Sequence, residues 1–221
     1  IYKAIEGEGV NIGTPVVFVR LQGCAIGCVN CDSKDTWQFS STLYSTQEII
    51  NEIEKYKPCK KISLTGGDPL DPIHKKGLLK LLERLKQEDY WVNIEASGQR
   101  FDADIFALVD FISWDVKTPS TFVAQKEEEL KLFYEQKTPS QIKAVIANSL
   151  DFDYVLHLKK EIEKQTLLHK NWVLTPCVET GDLFTASLVK DIYSWDFPYP
   201  QDFRVICQQH KLVYGSTETN V

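Results

Sequence analysis

The stretch PVVFVRLQGCAIGCVNCD, residues 15–32, joins a β-branched apolar run to three closely spaced cysteines. The apolar part, residues 15–21, predicts a buried strand. Cys24, Cys28 and Cys31 follow it in a CxxxCxxC pattern. Thiolates this close together can wrap one polymetal centre, and three of them leave one iron of a four-iron cluster open to another ligand. The stretch therefore predicts a strand that leads into an iron–sulfur site.

Downstream, the chain alternates strand patterns and helix patterns. Apolar β-branched runs recur at residues 61–65, 91–95, 111–116, 141–146, 171–175 and 203–207. Helical periodicity occupies residues 45–56, 74–88, 124–135, 151–165 and 181–195, and Ser45 followed by Glu48 predicts a capping box at the start of the first. Such βα repetition with right-handed crossovers predicts a parallel sheet, either open or curled into a barrel. In both arrangements ligands bind beyond the carboxyl ends of the strands.

Length and charge narrow the class of protein. A chain of 221 residues is long enough for one domain, which we expect to span residues 1–221. The net charge of -6 opposes a large basic surface for nucleic acid or acidic lipid, so we expect a small-molecule substrate and neither partner. No apolar run is long enough to span a bilayer, and no secretory leader is visible. We therefore expect a cytoplasmic protein.

Two other readings of the cysteines are weaker. A structural zinc site would need a fourth Cys or His, and no pair at zinc-finger spacing follows the triplet. A disulfide framework is typical of small secreted chains, whereas Cys59, Cys177 and Cys207 are scattered singly. These lone cysteines are expected to be ordinary buried or surface residues. Metal binding or redox chemistry fits the triplet better.

Polar groups follow several of the predicted strands. Gly66-Gly67-Asp68-Pro69 follows the second strand, and similar clusters begin at Glu95, Asp115, Thr175 and Gln208. Any one of them is an ordinary turn by composition. Because the carboxyl ends of parallel strands build the active site of a barrel, their shared position indicates one site.

The CxxxCxxC spacing on a chain of βα units resembles the radical S-adenosylmethionine superfamily. Gly66-Gly67-Asp68-Pro69 is similar to that superfamily's Gly-Gly-Glu-Pro motif, with Asp68 one methylene shorter. The resemblance implies that a [4Fe-4S] cluster binds S-adenosylmethionine through its open iron. It also implies that the reduced cluster cleaves the sulfonium to give an adenosyl radical that abstracts hydrogen. The protein orients the reactants and excludes water.

Further motifs resemble the 7-carboxy-7-deazaguanine synthase family over nearly the whole chain. They are GEG at residues 7–9, FVRLQGC at 18–24, CDSKDTW at 31–37, TGGDP at 65–69, IEASG at 94–98 and QQHK at 208–211. The resemblance implies an α/β fold, a single-domain partial (βα)6-type TIM-like barrel with parallel strands and a radical SAM core. It implies a homodimeric lyase on the queuosine route that converts 6-carboxy-5,6,7,8-tetrahydropterin to 7-carboxy-7-deazaguanine with loss of ammonia. It also implies Mg²⁺ and an external electron donor such as flavodoxin.

The same resemblance assigns site residues by position. The pterin is expected to contact Ile5, Glu6, Gly7, Arg20 and Thr65. S-adenosylmethionine is expected to contact Asn30, Cys31, Asp32, Gly67, Asp68, Asp115, Val116, Lys117, Thr175, Pro176, Cys177 and Val178. Cys24, Cys28 and Cys31 should ligate the cluster, and Ser33 should ligate Mg²⁺ through the oxygen that a hard cation prefers.

Two of these assignments have particular features. Arg20 suits a substrate carboxylate because its guanidinium is a planar fork. Glu6 stands where the family usually has Gln. No side chain is predicted to act as a catalyst beyond the cluster and S-adenosylmethionine.

Two alternatives to this function remain open. Another radical S-adenosylmethionine enzyme, such as a glycyl-radical activating enzyme, shares the cysteine spacing but acts on a protein partner. The flanking GEG and CDS motifs disfavour it. A non-catalytic iron–sulfur electron-transfer module would not require acidic and glycine clusters after successive strands.

Overall fold

The fold is one curved eight-stranded sheet with helices in its crossovers, in a computed structural model that describes residues 1–178, 186–194 and 203–215. The strands are β1 Tyr2–Ile5, β2 Pro15–Leu21, β3 Lys61–Gly66, β4 Trp91–Ala96, β5 Phe111–Val116, β6 Ser140–Ile146, β7 Asn171–Pro176 and β8 Phe203–Val205. They lie in sequence order across the sheet. Strands β2 to β8 are parallel, as predicted. Within the described residues β1 and β8 do not pair, so the partial barrel is open.

The first strand was not predicted. Tyr2–Ile5 pairs antiparallel with β2 through a tight connection over residues 6–14. Its short length and mixed polarity give no clear alternation in the sequence. At the other edge, the strand predicted at residues 203–207 ends at Val205, although the Ile206 amide still donates to the Leu174 carbonyl at 3.0 Å.

The helices are α1 Thr46–Glu54, α2 Pro72–Gln87, α3 Ala103–Phe106, α4 Glu127–Tyr134, α5 Ser149–Glu163, α6 Ala186–Ser194 and α7 Gln209–Tyr214. The predicted capping box of α1 is present: the Glu48 amide donates to Ser45 Oγ at 3.2 Å, and the Ser45 amide donates to Glu48 Oε2 at 2.7 Å. Of the helix predicted at residues 181–195, residues 181–185 and 195 lie outside the described part. The short helices α3 and α7 were not predicted.

The hydrophobic core lies between the sheet and its helices. Alternate strand residues such as Ile62, Leu64 and Trp114 are fully buried on this side. Trp114 stacks on Phe133 of α4 with ring centroids 4.5 Å apart. Burying this face leaves the opposite face of the same strands free to carry polar groups.

That opposite face is polar and internally hydrogen-bonded. Ser63 and Asn93 are register partners on β3 and β4, and Asn93 Nδ2 donates to Ser63 Oγ at 3.0 Å. Ser113 and Gln141 are partners on β5 and β6, and Gln141 Nε2 donates to Ser113 Oγ at 2.9 Å. The face of the sheet that lines the barrel interior therefore carries hydrogen-bonding groups.

Among the described residues, no helix is both long and apolar enough to cross a membrane.

Candidate active site

Residues 22–37, here called the cysteine loop, follow β2, and backbone hydrogen bonds join the two ends of this loop. The Gly23 amide donates to the Thr36 carbonyl at 2.8 Å, and the Cys24 amide donates to the Trp37 carbonyl at 3.1 Å. Inside this closure the Cys31 amide donates to the Cys28 carbonyl at 3.1 Å. All three predicted ligand cysteines are free thiols and partly exposed.

The surroundings of these thiols fit an iron–sulfur cluster. Burial raises the pKa of Cys28 and of Cys31, so without metal both favour the neutral thiol. Cys31 Sγ accepts hydrogen bonds from the Ser33 amide and from Trp37 Nε1, each at 3.4 Å. N–H donors of this kind stabilise the negative charge that sulfur carries when it binds iron. The three cysteines would hold the cluster through their sulfur atoms.

Gly66 and Gly67 let the end of β3 lie directly against the start of the cysteine loop. The Gly67 amide donates to the Leu21 carbonyl at 2.9 Å, and a Cβ on Gly67 would lie 2.1 Å from the Gly23 carbonyl oxygen. Gly66 has φ of 130°, which side-chain-bearing residues rarely adopt. The glycines therefore fix the distance between the cysteine loop and the third strand.

Asp68 is completely buried and forms an ion pair with Arg100. Its other oxygen accepts from the Leu70 amide at 3.3 Å. The predicted contact with the methionyl amino group would require a rearrangement of this pair, and it stays a prediction. Arg100 was not predicted, because nothing in the sequence connects it to residue 68.

At the end of β5, Asp115 and Lys117 form an ion pair of 2.5 Å. Val116 between them is buried in the core. Burial lowers the pKa of Lys117, but the charges of Asp115 and Cys28 outweigh it and raise the pKa above its ordinary value. Lys117 is therefore a permanent ammonium beside the cysteine loop.

The other residues predicted to contact S-adenosylmethionine lie on the cysteine loop and after β7. The side-chain nitrogen of Asn30, Nδ2, and the Thr175 hydroxyl are buried without a hydrogen-bond partner in the described part of the chain. Pro176 ends β7, and the Cys177 amide donates to the Ile146 carbonyl at 2.8 Å. The carbonyl of Val178 accepts from Lys211 Nζ at 3.1 Å.

Arg20 connects the predicted substrate residues to the cysteine loop. Its two terminal nitrogens donate to Ser33 Oγ and to the Tyr2 hydroxyl, both at 2.9 Å. Ser33 Oγ in turn donates to Asp32 Oδ1 at 3.0 Å. Thr65 is a register neighbour of Arg20. The guanidinium is thus held in one orientation close to the predicted cluster.

Glu6 is buried and lies close to a second, partly exposed carboxyl group, that of Glu95. Asn93 Nδ2 donates to Glu6 Oε1 at 3.3 Å and to Glu95 Oε1 at 2.9 Å, so one amide bridges the two carboxyl groups. Burial, and then the Glu95 charge, raise the pKa of Glu6 to about 7. Asn93 and Glu95 were not predicted as site residues, although Glu95 was noted at the end of its strand.

A second unpredicted group joins the two ends of the chain. Lys143 of β6 forms an ion pair with Glu8 and lies 3.5 Å from Glu95 Oε2. Gln208 Nε2 donates to Glu8 Oε1 at 2.5 Å. The Gln209 amide donates to the Gly7 carbonyl at 2.8 Å. A lone lysine within the apolar strand QIKAVI was the available sequence signal for Lys143.

Comparison with known proteins identifies the family. Residues 5–137, more than half of the chain, match the family described as 4Fe-4S single cluster domain. A curated 7-carboxy-7-deazaguanine synthase from Koribacter versatilis is 28% identical over 225 residues, covering 97% of this chain and 95% of the relative. One from Bacteroides thetaiotaomicron is 34% identical over 138 residues, covering 61% of this chain and 68% of the relative. The chain belongs to the 7-carboxy-7-deazaguanine synthase family.

Solved structures agree in fold with this member of the 7-carboxy-7-deazaguanine synthase family. The crystal structure of QueE from Escherichia coli superposes with a TM-score of 0.69 at 20% identity, covering 95% of this chain and 92% of that one. Streptococcus suis SuiB bound to the precursor peptide SuiA superposes with a TM-score of 0.65 at 13% identity, covering 90% of this chain and 50% of that one. Family membership confirms three predictions: a radical S-adenosylmethionine enzyme, an iron–sulfur cluster and S-adenosylmethionine as cofactors.

Proposed function

We propose that the protein converts 6-carboxy-5,6,7,8-tetrahydropterin to 7-carboxy-7-deazaguanine with loss of ammonia, on the route to queuosine and related 7-deazapurines. The observation that carries the proposal is the position of Arg20. Its guanidinium is held by Tyr2 and Ser33, and Ser33 lies two residues after Cys31, a predicted ligand of the cluster. A planar fork of donors is suited to a carboxylate. A carboxylate receptor beside a radical source fits the carboxylated product in the name of the curated relatives.

The protein residues have separate tasks in this proposal. When bound, the cluster and S-adenosylmethionine supply the radical that removes a substrate hydrogen. Arg20 orients the substrate carboxylate, and the predicted contacts of Ile5, Gly7 and Thr65 position the pterin ring. Lys117 keeps a positive charge beside Cys28, which favours thiolate sulfur. Glu6, itself predicted to contact the pterin, is buried beside Glu95 and can hold a proton near neutral pH.

The predicted Mg²⁺ ligand is already engaged. Ser33 Oγ accepts from Arg20 and donates to Asp32 Oδ1. A hydroxyl oxygen is a suitable ligand for Mg²⁺, but here it faces a guanidinium. Residues of the right chemistry are therefore present, with Asp32 next to Ser33, and we propose that turnover requires a divalent cation.

The remaining parts of the proposal concern the whole protein. We propose a single domain, a homodimer, a cytoplasmic location and an external electron donor such as flavodoxin, with no direct nucleic-acid or membrane partner. The net charge of -6 supports the absence of a nucleic-acid surface. The continuous sheet supports the single domain.

The function is tested by incubating anaerobically reconstituted protein with reductant, S-adenosylmethionine, Mg²⁺ and the carboxytetrahydropterin. We expect 7-carboxy-7-deazaguanine and ammonia in equal amounts. Protein that cleaves S-adenosylmethionine but forms no deazaguanine would refute the substrate while leaving the radical enzyme intact. Absence of any effect of S-adenosylmethionine on the spectrum of the reduced cluster would refute both.

A further inference from the structure

Glu6 follows β1, and hydrogen bonds fix both its backbone and its side chain. The Glu6 amide donates to the Thr14 carbonyl, and the Gly13 amide donates to the Glu6 carbonyl, both at 2.8 Å. Only 5% of the residue is exposed. Asn93 Nδ2 donates to Glu6 Oε1 at 3.3 Å, and the Ser63 side chain hydrogen-bonds the same carboxyl group. The carboxyl group is therefore held at one place beside β3 and β4.

The hydrogen-bonding groups around Glu6 contain more acceptors than donors. Asn93 Nδ2 carries two hydrogens. It lies 2.9 Å from Glu95 Oε1, 3.0 Å from Ser63 Oγ and 3.3 Å from Glu6 Oε1, so three acceptors share two hydrogens and Glu6 has the longest contact. The oxygen of the same amide, Asn93 Oδ1, is buried and has no hydrogen-bond partner in the described part of the chain. Because buried acceptors normally have a donor, this group lacks one, which a proton on Glu6 or an N–H of a ligand would supply.

The charges near Glu6 disfavour its ionised form. Lys143 of β6 forms an ion pair with Glu8 and lies 3.5 Å from Glu95 Oε2. In the described part of the chain no ion pair joins Glu6 to a cation. On α7, the ring of His210 lies against the residue after Glu6 and adds a positive charge only when it is protonated. Three carboxyl groups thus share one ammonium, and burial, followed by the Glu95 charge, raises the pKa of Glu6 to about 7.

We propose that Glu6 binds the pterin in its protonated, uncharged form, as both a donor and an acceptor for the aminopyrimidinone edge of the ring. The inference rests on the proposed function, in which Glu6 contacts the pterin. That edge has N–H donors next to carbonyl and ring-nitrogen acceptors, and a neutral carboxyl group can match one of each. An ionised carboxylate offers acceptors only, and it adds a negative charge beside a substrate that already has one. The affinity for the pterin should therefore fall as the pH rises above neutrality.

The carboxytetrahydropterin itself is the probe. It is titrated anaerobically into cluster-loaded protein with S-adenosylmethionine and without reductant, so that no turnover occurs. Isothermal titration calorimetry gives the Kd, and repetition in buffers of different ionisation enthalpy gives the number of protons taken up on binding. With a pKa of about 7, roughly one-tenth of Glu6 is protonated at about pH 8, so the wild-type Kd should be roughly tenfold weaker there than at about pH 6. Binding at about pH 8 should take up close to one proton per pterin.

Two variants assign this proton. Glu6→Gln should bind with the same Kd at both pH values and take up no proton, because its amide is uncharged throughout. Any protonation of the pterin itself affects the wild type and Glu6→Gln alike, so it cancels in the comparison. Glu83→Gln, at an exposed position of α2, should keep the wild-type pH dependence.

The outcomes separate the inference from the proposed function. A wild-type Kd that is equal at both pH values, or tighter at the higher one, would overturn the inference even if the pterin is converted. Proton uptake that persists in Glu6→Gln and is lost in His210→Gln would overturn it in favour of the imidazole. No binding of the pterin at either pH would refute the substrate, and the inference with it. If iron content and circular dichroism show that Glu6→Gln fails to fold, absence of proton uptake by the wild type still overturns the inference.

Discussion

The side chains of this site are oriented by hydrogen bonds from neighbouring groups. Arg20 is oriented by two hydroxyls, Tyr2 and Ser33, from different segments. Cys31 receives two N–H donors from its own loop. Such support reduces the number of orientations a reactive group can adopt before the ligand arrives. The effects of single substitutions should therefore be large at these positions and small nearby.

Replacing Cys28 with Ala should abolish the cluster. Only three local thiolates are predicted to bind iron, so removing one leaves too few ligands. We expect iron and sulfide per chain to fall to background after anaerobic reconstitution. Cys59→Ala is the matched control, because the Cys59 thiol donates to the Pro15 and Lys61 carbonyls, outside the loop. A full complement of iron in Cys28→Ala would show that the ligand assignment is wrong.

Replacing Arg20 with Lys should impair substrate use but not cofactor cleavage. A single ammonium cannot span Ser33, Tyr2 and a carboxylate as the fork does. Loss of one charge-assisted hydrogen bond costs about 1.5–3 kcal/mol, which is roughly a ten- to hundredfold fall in kcat/KM for the pterin. Arg204→Lys, at an exposed position of β8, should leave kcat/KM unchanged. Equal kcat/KM in Arg20→Lys and wild type would remove Arg20 from the substrate site.

At the scale of the elements, the site depends on close backbone contact between β3 and the start of the cysteine loop. The Gly67 and Asp68 amides donate to the Leu21 and Gly23 carbonyls, both at 2.9 Å. This contact needs residues without a Cβ on the β3 side. The helices do not depend on such long-range contact to the same degree, because their caps and apolar faces come from residues within or next to each helix.

Replacing Gly66 or Gly77 with Ala should have opposite effects on the free energy of unfolding. A Cβ on Gly66 would lie 2.1 Å from the Leu21 carbonyl oxygen, and its φ of 130° is unfavourable for Ala. We expect Gly66→Ala to lower the free energy of unfolding by more than about 1 kcal/mol and to reduce cluster content. Gly77, in α2, has nothing within 4 Å of an added Cβ, so Gly77→Ala should stabilise by about 0.5–1 kcal/mol. Urea unfolding measures both, and a stabilising Gly66→Ala would contradict the packing argument.

At the scale of the whole molecule, the barrel interior carries charged groups that interact with one another and are largely shielded from bulk water. Lys143 lies between Glu8 and Glu95, while Asn93 connects Glu95 to Glu6. The turn after β1 and the segment before α7 complete this group from the two ends of the chain. Folding therefore changes the protonation of groups that would titrate normally in the unfolded chain.

Glu6 should make the protein less stable as the pH rises. Burial and the Glu95 charge raise its pKa from 4.5 to about 7, so between those values the folded state binds more protons than the unfolded state. Stability from Glu6 is fully present below the lower pKa and is lost as the pH rises through the upper one. Glu6→Gln should therefore raise the unfolding free energy at about pH 8 by up to roughly 3 kcal/mol, and the thermal midpoint should rise with it. At about pH 5 the substitution should change the midpoint little.

The matched control for this pH dependence is Glu83→Gln on the exposed face of α2. It should leave the thermal midpoint unchanged at both pH values. If Glu6→Gln shifts the midpoint equally at about pH 5 and about pH 8, the effect comes from packing and not from the proton on Glu6.

What the sequence determined by itself was local or periodic. The strand and helix order, the α1 capping box and the iron–sulfur motif were predicted because residues near in sequence carry those signals. Tertiary structure alone decided the antiparallel β1, the pairing of Asp68 with Arg100 and the cluster around Lys143. It also brought His210 to Glu8 and Asp32. Some of these contacts join residues about 200 positions apart, as in the bond between Glu8 and Gln208. No local pattern encodes them, because they exist only once the curved sheet brings its two ends together.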